Sequence, residues 1–471
     1  MRTACIVGGG VIGGGWAARF LLSGWNVRVF DPDPEAERKI TAVLDRARRT
    51  LPMLYEVALP AEGTLTYHET LQEALEGAEW VTESVPERLD LKHRIYAEIQ
   101  GIRPDITIGS STSGFTPTEL TQGAAVPARI IVTHPFNPVY LLPLVEVVGK
   151  EGGDAKIIEE AREVLSGIGM YPLYIRKEIA AHIADRFLEA VWREALWLIN
   201  DGIATTEEID NAIRYAFGIR WAQMGLFETY RLGGGEDGMR HFIAQFGPTM
   251  SFEWTKLMDV PELTEELIDT IADQSDAQSG HMTIDELAGK RDGNLVALIR
   301  ALKQQGSAAG LLVQEHEAKL APQDPVIAPE KLRTIERVIP CDWTDYNGHM
   351  NESRYGQLWS DAADTVMRMV GADAAYIEGG NSYFTVETTT RFLAEAHAGD
   401  RVEVRTTVIE GAGKKLHLFH EMLRGEEVCA TCAQLLIHVS LETRRACEPQ
   451  GDVATHAAAL AKAHEGLPKP E

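Results

Sequence analysis

Over the first 175 residues, short apolar runs alternate with stretches whose apolar positions recur every three to four residues. CIVGGG, VRVF, WVTESV, ITIGSS, IIVTHP and LVEVV have the length and composition of strands, and helical patterns separate most of them. That alternation predicts an α/β domain over residues 1–177, a doubly wound and mostly parallel sheet with helices on its faces. From about Glu178 to Leu320 the helical period takes over, as in IADRFLEAVWREALWLIND, where Gly202 is placed to stop the helix. An all-α domain is expected over 178–320. Pro322, Pro325 and Pro329 then interrupt the chain, so residues 321–330 read as a linker. Beyond it, one helical pattern, NESRYGQLWSDAADTVMRMV, precedes four strand-like runs: NSYFTVETTTRFLAEA, RVEVRTTVIEG, KKLHLFHEML and EVCATCAQLLIHVSL. These predict an α+β domain over 331–443. Residues 444–471 read as a polar tail with room for one short helix.

Composition narrows the class. At about 150 residues per domain, 471 residues suit three such domains. A net charge of −25 repels phosphate backbones and argues against nucleic acid as a partner. No apolar run approaches the ~20 residues that span a bilayer, so no membrane partner is expected. The opening MRTACIVGGG is too short and too glycine-rich for a leader and reads as the first strand. Five scattered cysteines read as reduced thiols of a cytoplasmic protein. Cys429 and Cys432 form a CxxC, yet no second pair or histidine cluster completes a site, and no metal is expected.

Gly8-x-Gly10-x-x-Gly13 follows the strand ACIV and opens the helix WAARFLLSG. A lone GxGxxG is weak, but a strand before it and a helix after it are the context of a dinucleotide fingerprint. Gly8 permits the tight turn, Gly10 the approach of a diphosphate, and Gly13 the close packing of helix on strand. Asp31, at the end of VRVF, can accept hydrogen bonds from both ribose hydroxyls and repel a 2′-phosphate, which selects NAD over NADP.

Three further segments place polar groups at strand ends. SSTSG gives Ser113, HPFNP gives His134 and Asn137, and LVEVV gives Glu146, twelve residues beyond His134. Oxidising an alcohol requires a base, and a carboxylate behind a histidine raises its basicity and fixes its tautomer. Ser113 and Asn137 are suited to hydrogen-bond the same substrate oxygen.

This set resembles the 3-hydroxyacyl-CoA dehydrogenase family over about residues 1–320. The resemblance rests on GGGVIGG, Glu83-Ser-Val-Pro-Glu87 with Lys92, Ser-Thr-Ser113, His134-Pro-Phe-Asn137-Pro and Leu-Val-Glu146. It implies His134 as the base, Glu146 as its partner, Ser113 and Asn137 as substrate-positioning groups, and Glu87 and Lys92 beside the nicotinamide half of NAD. Where that family has Asn-Arg early in the first long helix of its second domain, this chain has Asp185-Arg186. GIRWAQMGLFET, residues 218–229, is similar to the branch that acts on free 3-hydroxy acids, gulonate and carnitine among them. A free acid needs a carboxylate partner, for which Arg220 is suited. Trp192, Trp197, Trp221, Phe227, Tyr230 and Trp254 read either as core or as faces for a quaternary ammonium, with Trp221 and Tyr140 the expected substrate contacts. Asp185 and Glu189 would add negative charge for such a carnitine-like substrate.

Residues 331–443 resemble the hot-dog thioesterases of the 4-hydroxybenzoyl-CoA type. The motif is Asp342-Trp-Thr-Asp345-Tyr-Asn-Gly348-His349-Met-Asn351, with Ala398-Gly399-Asp400 before a later strand. The resemblance implies Asp345 as the catalytic acid, amides near Gly348–Asn351 as the oxyanion hole, His349 as helix-entry packing, and an acyl-CoA substrate. The pairing is similar to fused enzymes in which a carnitine 3-dehydrogenase precedes a hot-dog betainyl-CoA thioesterase, one trimethylammonium group serving both sites. Both halves also imply a homodimer. The competing readings are a 3-hydroxyacyl-CoA or gulonate-type dehydrogenase with a thioesterase tail, and a non-catalytic, crystallin-like protein. The joint presence of Ser113, His134, Asn137, Glu146 and Asp345 argues against the last.

Overall fold

The computed structural model describes residues 1–234, 236, 238–246, 248, 254–256, 262, 264–320 and 328–467. Residues 321–327 of the expected linker and 468–471 of the expected tail lie outside the described residues. The chain divides into two compact units, Met1–Ala47 with Ala61–Gln314, and Arg48–Pro60 with Glu315–Glu471.

The first unit is built on an eight-stranded sheet. Its strands are β1 (Thr3–Val7), β2 (Asn26–Phe30), β3 (Leu65–His68), β4 (Trp80–Glu83), β5 (Ile108–Ser110), β6 (Ile130–Pro135), β7 (Leu144–Val148) and β8 (Tyr171–Tyr174). Their spatial order is β3-β2-β1-β4-β5-β6-β7-β8, parallel throughout except where β6 meets β7. Chain direction across the sheet reverses between β1 and β4, the crevice where doubly wound sheets bind ligands. The central strands read as continuous apolar runs because both faces are covered: β4 and β6 are buried at every position. The two edge strands escape the sequence reading because their pattern is weak; β8 is exposed at both ends and β3 has no fully buried residue.

Beyond β8 the chain is helical as far as Leu320: Ala184–Asn200, Thr206–Ala212, Gly218–Gly233, Gly238–Phe246, Glu265–Ser279, Ile284–Gln304 and Ala308–Leu320. Local chemistry sets their ends. Gly202 adopts φ +66° after the first, as its position suggested, and the Thr205 and Thr283 hydroxyls cap the amides of Glu208 and Glu286, whose carboxylates reach back.

The second unit holds an antiparallel sheet of order β10-β13-β12-β11-β9, from β9 (Leu332–Val338), β10 (Asn381–Phe392), β11 (Arg401–Glu410), β12 (Lys415–Arg424) and β13 (Glu427–Ser440), with the short β14 (Arg445–Ala446) on β13. The helix Glu352–Met369 lies on it, burying Tyr355, Leu358, Trp359, Ala362 and Val366 at helical spacing. This is the expected hot-dog arrangement, with β9 as a strand the pattern left unassigned. Its tail forms one helix, Asp452–Ala463. Arg48–Pro60 supplies Glu56, whose carboxylate lies 2.6 Å from the Arg337 guanidinium. Arg337 is buried and also pairs with Asp361 at 2.9 Å. Cys429 and Cys432 are buried in β13, and burial pushes the Cys432 thiol up to about 11, so these thiols act as small core side chains.

Candidate active sites

β1 runs straight into the glycine turn. Gly8 has φ +103°, and a Cβ there would sit 2.6 Å from the Ser84 backbone; a Cβ on Gly13 would sit 1.8 Å from the Gly8 carbonyl oxygen. Both positions therefore demand glycine. Gly10 is different: nothing lies within 4 Å of where its Cβ would be. It leaves an open floor in front of the N-terminus of the helix Val11–Leu22, where a diphosphate meets free amides. The Asp31 carboxylate accepts from the Gly9 and Asp33 amides, the latter at 2.7 Å, which fixes this acid beside the turn. These residues fit NAD.

Next along the sheet edge, Glu83 ends β4 fully buried. It accepts from Lys92 at 2.8 Å, Tyr96 at 2.5 Å, Ser110 at 2.7 Å and the Val85 amide at 2.9 Å. Lys92 also meets Glu87 at 3.2 Å, and Glu87 accepts from the Thr112 hydroxyl in the turn after β5. Glu83 is thus the hub that holds Lys92 and the Ser113 turn in place. Its position at a central strand end was the available signal.

The candidate base, His134, lies where β6 and β7 run antiparallel. Their register pairs His134 with Glu146, so the twelve-residue spacing becomes a direct cross-strand neighbour. His134 Nδ1 lies 2.9 Å from Glu146 Oε2, and Glu146 Oε1 accepts from the Ile183 and Ala184 amides, each at 2.9 Å. Burial alone would raise the Glu146 carboxyl; His134 and the two amides outweigh it and hold the group below its usual range. With Nδ1–H donated to Glu146, His134 presents Nε2 as an acceptor. Asp185 Oδ2 lies 3.7 Å from that nitrogen, and burial raises the Asp185 carboxyl. His182, fully buried with φ +51°, packs its ring 5.5 Å from His134, and burial lowers its pKa so that it stays neutral. Sequence reasoning missed His182, whose place depends on a left-handed turn at Ala181 and His182.

The remaining expected residues fall as follows. Ser113 and Asn137 are exposed on the turns after β5 and β6, at the carboxyl end of the sheet where His134 sits. Arg220 and Trp221 are exposed on the helix Gly218–Gly233; Arg220 has no ion pair among the described residues, and Trp221 packs on Phe217 at 4.7 Å. Tyr140 takes a different place from the one expected. It is 2% exposed, and its hydroxyl donates to Asp292 at 2.5 Å, so its ring has no face free for an ammonium group. Of the aromatic set, Trp192, Trp221, Phe227, Tyr230 and Trp254 are exposed rather than core.

In the second unit, Asp345 opens a tight turn. Its Oδ1 accepts from the Asn347 amide at 2.8 Å, and Gly348, at φ +80°, donates its amide to the Asp345 carbonyl at 3.0 Å. Asn351 caps the helix Glu352–Met369 through the Ser353 amide at 3.0 Å. His349 points to Glu395 at 3.4 Å, a contact beyond simple packing. Asp345 and His349 face one cavity of about 390 Å³.

Comparison with known proteins agrees with this geometry. Residues 3–179 match the NAD-binding domain and residues 182–272 the C-terminal domain of 3-hydroxyacyl-CoA dehydrogenase, while residues 339–456 match the thioesterase-like superfamily. A protein of Ruegeria pomeroyi named L-carnitine dehydrogenase/betainyl-CoA thioesterase is 59% identical over 477 residues, covering 100% of this chain and 98% of that one. The chain belongs to the L-carnitine dehydrogenase/betainyl-CoA thioesterase family. The family's first part also has a free-standing relative. An L-carnitine dehydrogenase of Mesorhizobium japonicum is 54% identical over 327 residues, which cover 68% of this chain and 90% of that one. Among solved structures, 5-formyl-3-hydroxy-2-methylpyridine 4-carboxylic acid 5-dehydrogenase, an NAD-dependent dismutase, superposes with a TM-score of 0.56 at 27% identity, over 64% of this chain and 99% of that one. The chain is thus an NAD-dependent dehydrogenase joined to a thioesterase.

Proposed function

We propose that the dehydrogenase half oxidises L-carnitine to 3-dehydrocarnitine and that the thioesterase half hydrolyses betainyl-CoA to glycine betaine and CoA. One observation carries the first reading: the open nitrogen of a carboxylate-backed histidine has a second carboxylate, Asp185, 3.7 Å away. His134 Nε2 takes the proton from the substrate hydroxyl oxygen as the hydride leaves the carbon that bears it, and the C=O bond of the ketone forms. NAD, when bound, supplies the hydride acceptor. Glu146 fixes the tautomer and stabilises the imidazolium that forms. Ser113 and Asn137 hold the substrate oxygen, Glu87 and Lys92 flank the nicotinamide, and Arg220 with Trp221 meets the substrate carboxylate and ammonium group. Two acids around the base favour a cationic substrate over a polyanionic thioester, which separates carnitine from a hydroxyacyl-CoA.

In the second half, Asp345 drives addition at the thioester carbonyl. The carbonyl–sulfur bond breaks, CoA leaves as the thiol, and water supplies the oxygen of the new carboxylate. The helix-start amides near Gly348–Asn351 hold the oxyanion.

The assembly we propose is a homodimer. Phe187, Leu188 and Trp192 are each more than half exposed on the helix Ala184–Asn200, and the same helix lines a mostly apolar groove of about 480 Å³ with Ala190, Val191 and Leu198, Glu194 and Glu208 also lining it. An apolar face of that kind is normally covered by protein. No helix among the described residues is long and apolar enough to cross a membrane. Five unpaired thiols support a cytoplasmic location.

The test is a panel of 3-hydroxy acids with NAD, read as NADH, and of acyl-CoAs, read as free thiol. Carnitine and betainyl-CoA are the expected best substrates. Preference for a 3-hydroxyacyl-CoA or for gulonate would overturn the first reading.

A further inference from the structure

The thioesterase cavity is more specific than the presence of Asp345 requires. Its lining joins Asp345 and His349 to Tyr355, Phe392, Glu352 and Glu395. The Tyr355 and Phe392 rings meet edge to face, with centroids 4.9 Å apart and planes at 82°, so the one ring braces the other. Tyr355 is 4% exposed and held from behind by Trp359, while Phe392 is 56% exposed on β10. Burial raises the Tyr355 phenol, which keeps it protonated and its ring neutral. Around the exposed Phe392 ring stand three carboxylates, and the sole basic side chain in the lining is His349, itself engaged with Glu395 at 3.4 Å.

This chemistry discriminates among acyl groups. An anionic acyl chain would meet only repulsion. A plain alkyl chain would gain nothing from the acids. A primary ammonium would want fixed acceptors at hydrogen-bond distance. A quaternary ammonium cannot donate a hydrogen bond at all; it is stabilised by aromatic faces and by nearby negative charge that need not touch it. Size agrees as well, because the cavity has room for a trimethylammonium head beside the carbonyl.

We propose that this cavity is the acyl subsite of the thioesterase and that it selects a quaternary ammonium, with the exposed Phe392 ring as its aromatic wall, the buried Tyr355 bracing that ring from behind, and Glu395 as its counter-charge. The inference rests on the betainyl-CoA reading above. In betainyl-CoA one methylene separates the carbonyl carbon from the ammonium nitrogen, so any group recognising the cation must share a cavity with the acid that serves the carbonyl. Phe392 and Glu395 meet that condition with Asp345.

The experiment compares hydrolysis of betainyl-CoA with that of 3,3-dimethylbutyryl-CoA, which has the same shape with carbon in place of nitrogen. The full chain is used, and NADH formation from carnitine by each sample reports folding. The wild type should prefer the cation by at least about tenfold in kcat/KM. Phe392→Leu and Glu395→Gln, both at exposed positions, should each cut that preference by about tenfold, since a desolvated cation–π contact or a nearby charge is worth roughly that much in binding. Glu395→Asp should keep most of the preference. If the wild type prefers betainyl-CoA and neither variant changes the ratio, the subsite is wrong and the functional reading stands. If the wild type hydrolyses both thioesters equally, the cavity does not read charge and the inference fails. If it hydrolyses only unrelated acyl-CoAs, the functional reading fails and takes the subsite with it.

Discussion

Replacing Asp185 by asparagine removes one charge and almost nothing else. The side chain keeps its size and an oxygen, and restores the amide of the resembling dehydrogenases. Asp185 Oδ2 lies 3.7 Å from His134 Nε2. A substrate hydroxyl bound to Nε2 sits about 2.8 Å from it. In carnitine two carbons separate that oxygen from the nitrogen, which brings the ammonium to roughly 5 Å from the carboxylate. With an effective dielectric constant of about 20–40, suited to a side chain 23% exposed, the attraction is about 2–3 kcal/mol. Asp185→Asn should therefore lower kcat/KM for carnitine by about thirtyfold or more. It should leave NAD affinity unchanged and spare a neutral analogue with carbon in place of nitrogen. The assay is steady-state NADH formation with both substrates. Its pH dependence adds a check. Burial raises the Asp185 carboxyl, so the wild-type KM for carnitine should climb as acid protonates it, at a higher pH than an exposed aspartate would give. A parallel fall with both substrates would refute the reasoning, because Asp185 would then act on His134 and not on the substrate charge.

Other expectations follow from the same geometry. His134→Gln should cost at least about two orders of magnitude in carnitine turnover while NAD binding survives, as titration of NAD against intrinsic fluorescence would report. Asp31 should make NADP a poor cofactor, and equal kcat/KM for the two nucleotides would contradict its role. His420 is fully buried between Thr406 and Gln434, and burial brings its pKa down to about 4. The unfolded chain takes up that proton first, so the stabilisation is complete above about pH 6.5 and is lost as pH falls toward 4, a loss of roughly 3 kcal/mol. Urea melts of the wild type and His420→Gln at pH 7 and 4.5 should show the wild type losing more. Light scattering should give twice the chain mass, and an active species of 51.9 kDa would exclude the dimer.

Much of the first unit could be read from local pattern because its signals are local. β1, β2 and β4 to β7 are short apolar runs next to glycine or polar strand ends, and Gly8 and Gly13 sit where backbone contact leaves no space for a side chain. His134 and Glu146 were paired by chemistry before their register was visible. What stayed hidden depends on partners far along the chain. Tyr140 looked free to line a cleft because its neighbours are near His134, yet Asp292, 152 residues later, claims its hydroxyl. Glu83 reads as one acid in a motif until Lys92, Tyr96 and Ser110 converge on it. The helical aromatics carry a strong apolar signal, but that signal does not distinguish a buried position from an exposed one.

The segment Arg48–Pro60 bears on how this protein can be taken apart. It is made early, between two strands of the nucleotide-binding sheet, but its packing belongs to the unit completed last. During synthesis, Glu56 must wait for Arg337 until the whole dehydrogenase has emerged. A fragment beginning at the proline-rich stretch would carry Arg337 with Asp361 alone, a buried cation short of one of its two carboxylates. The natural cut between the two activities is therefore not a single point in the sequence, and a free-standing thioesterase made from this chain would need a grafted copy of that early segment.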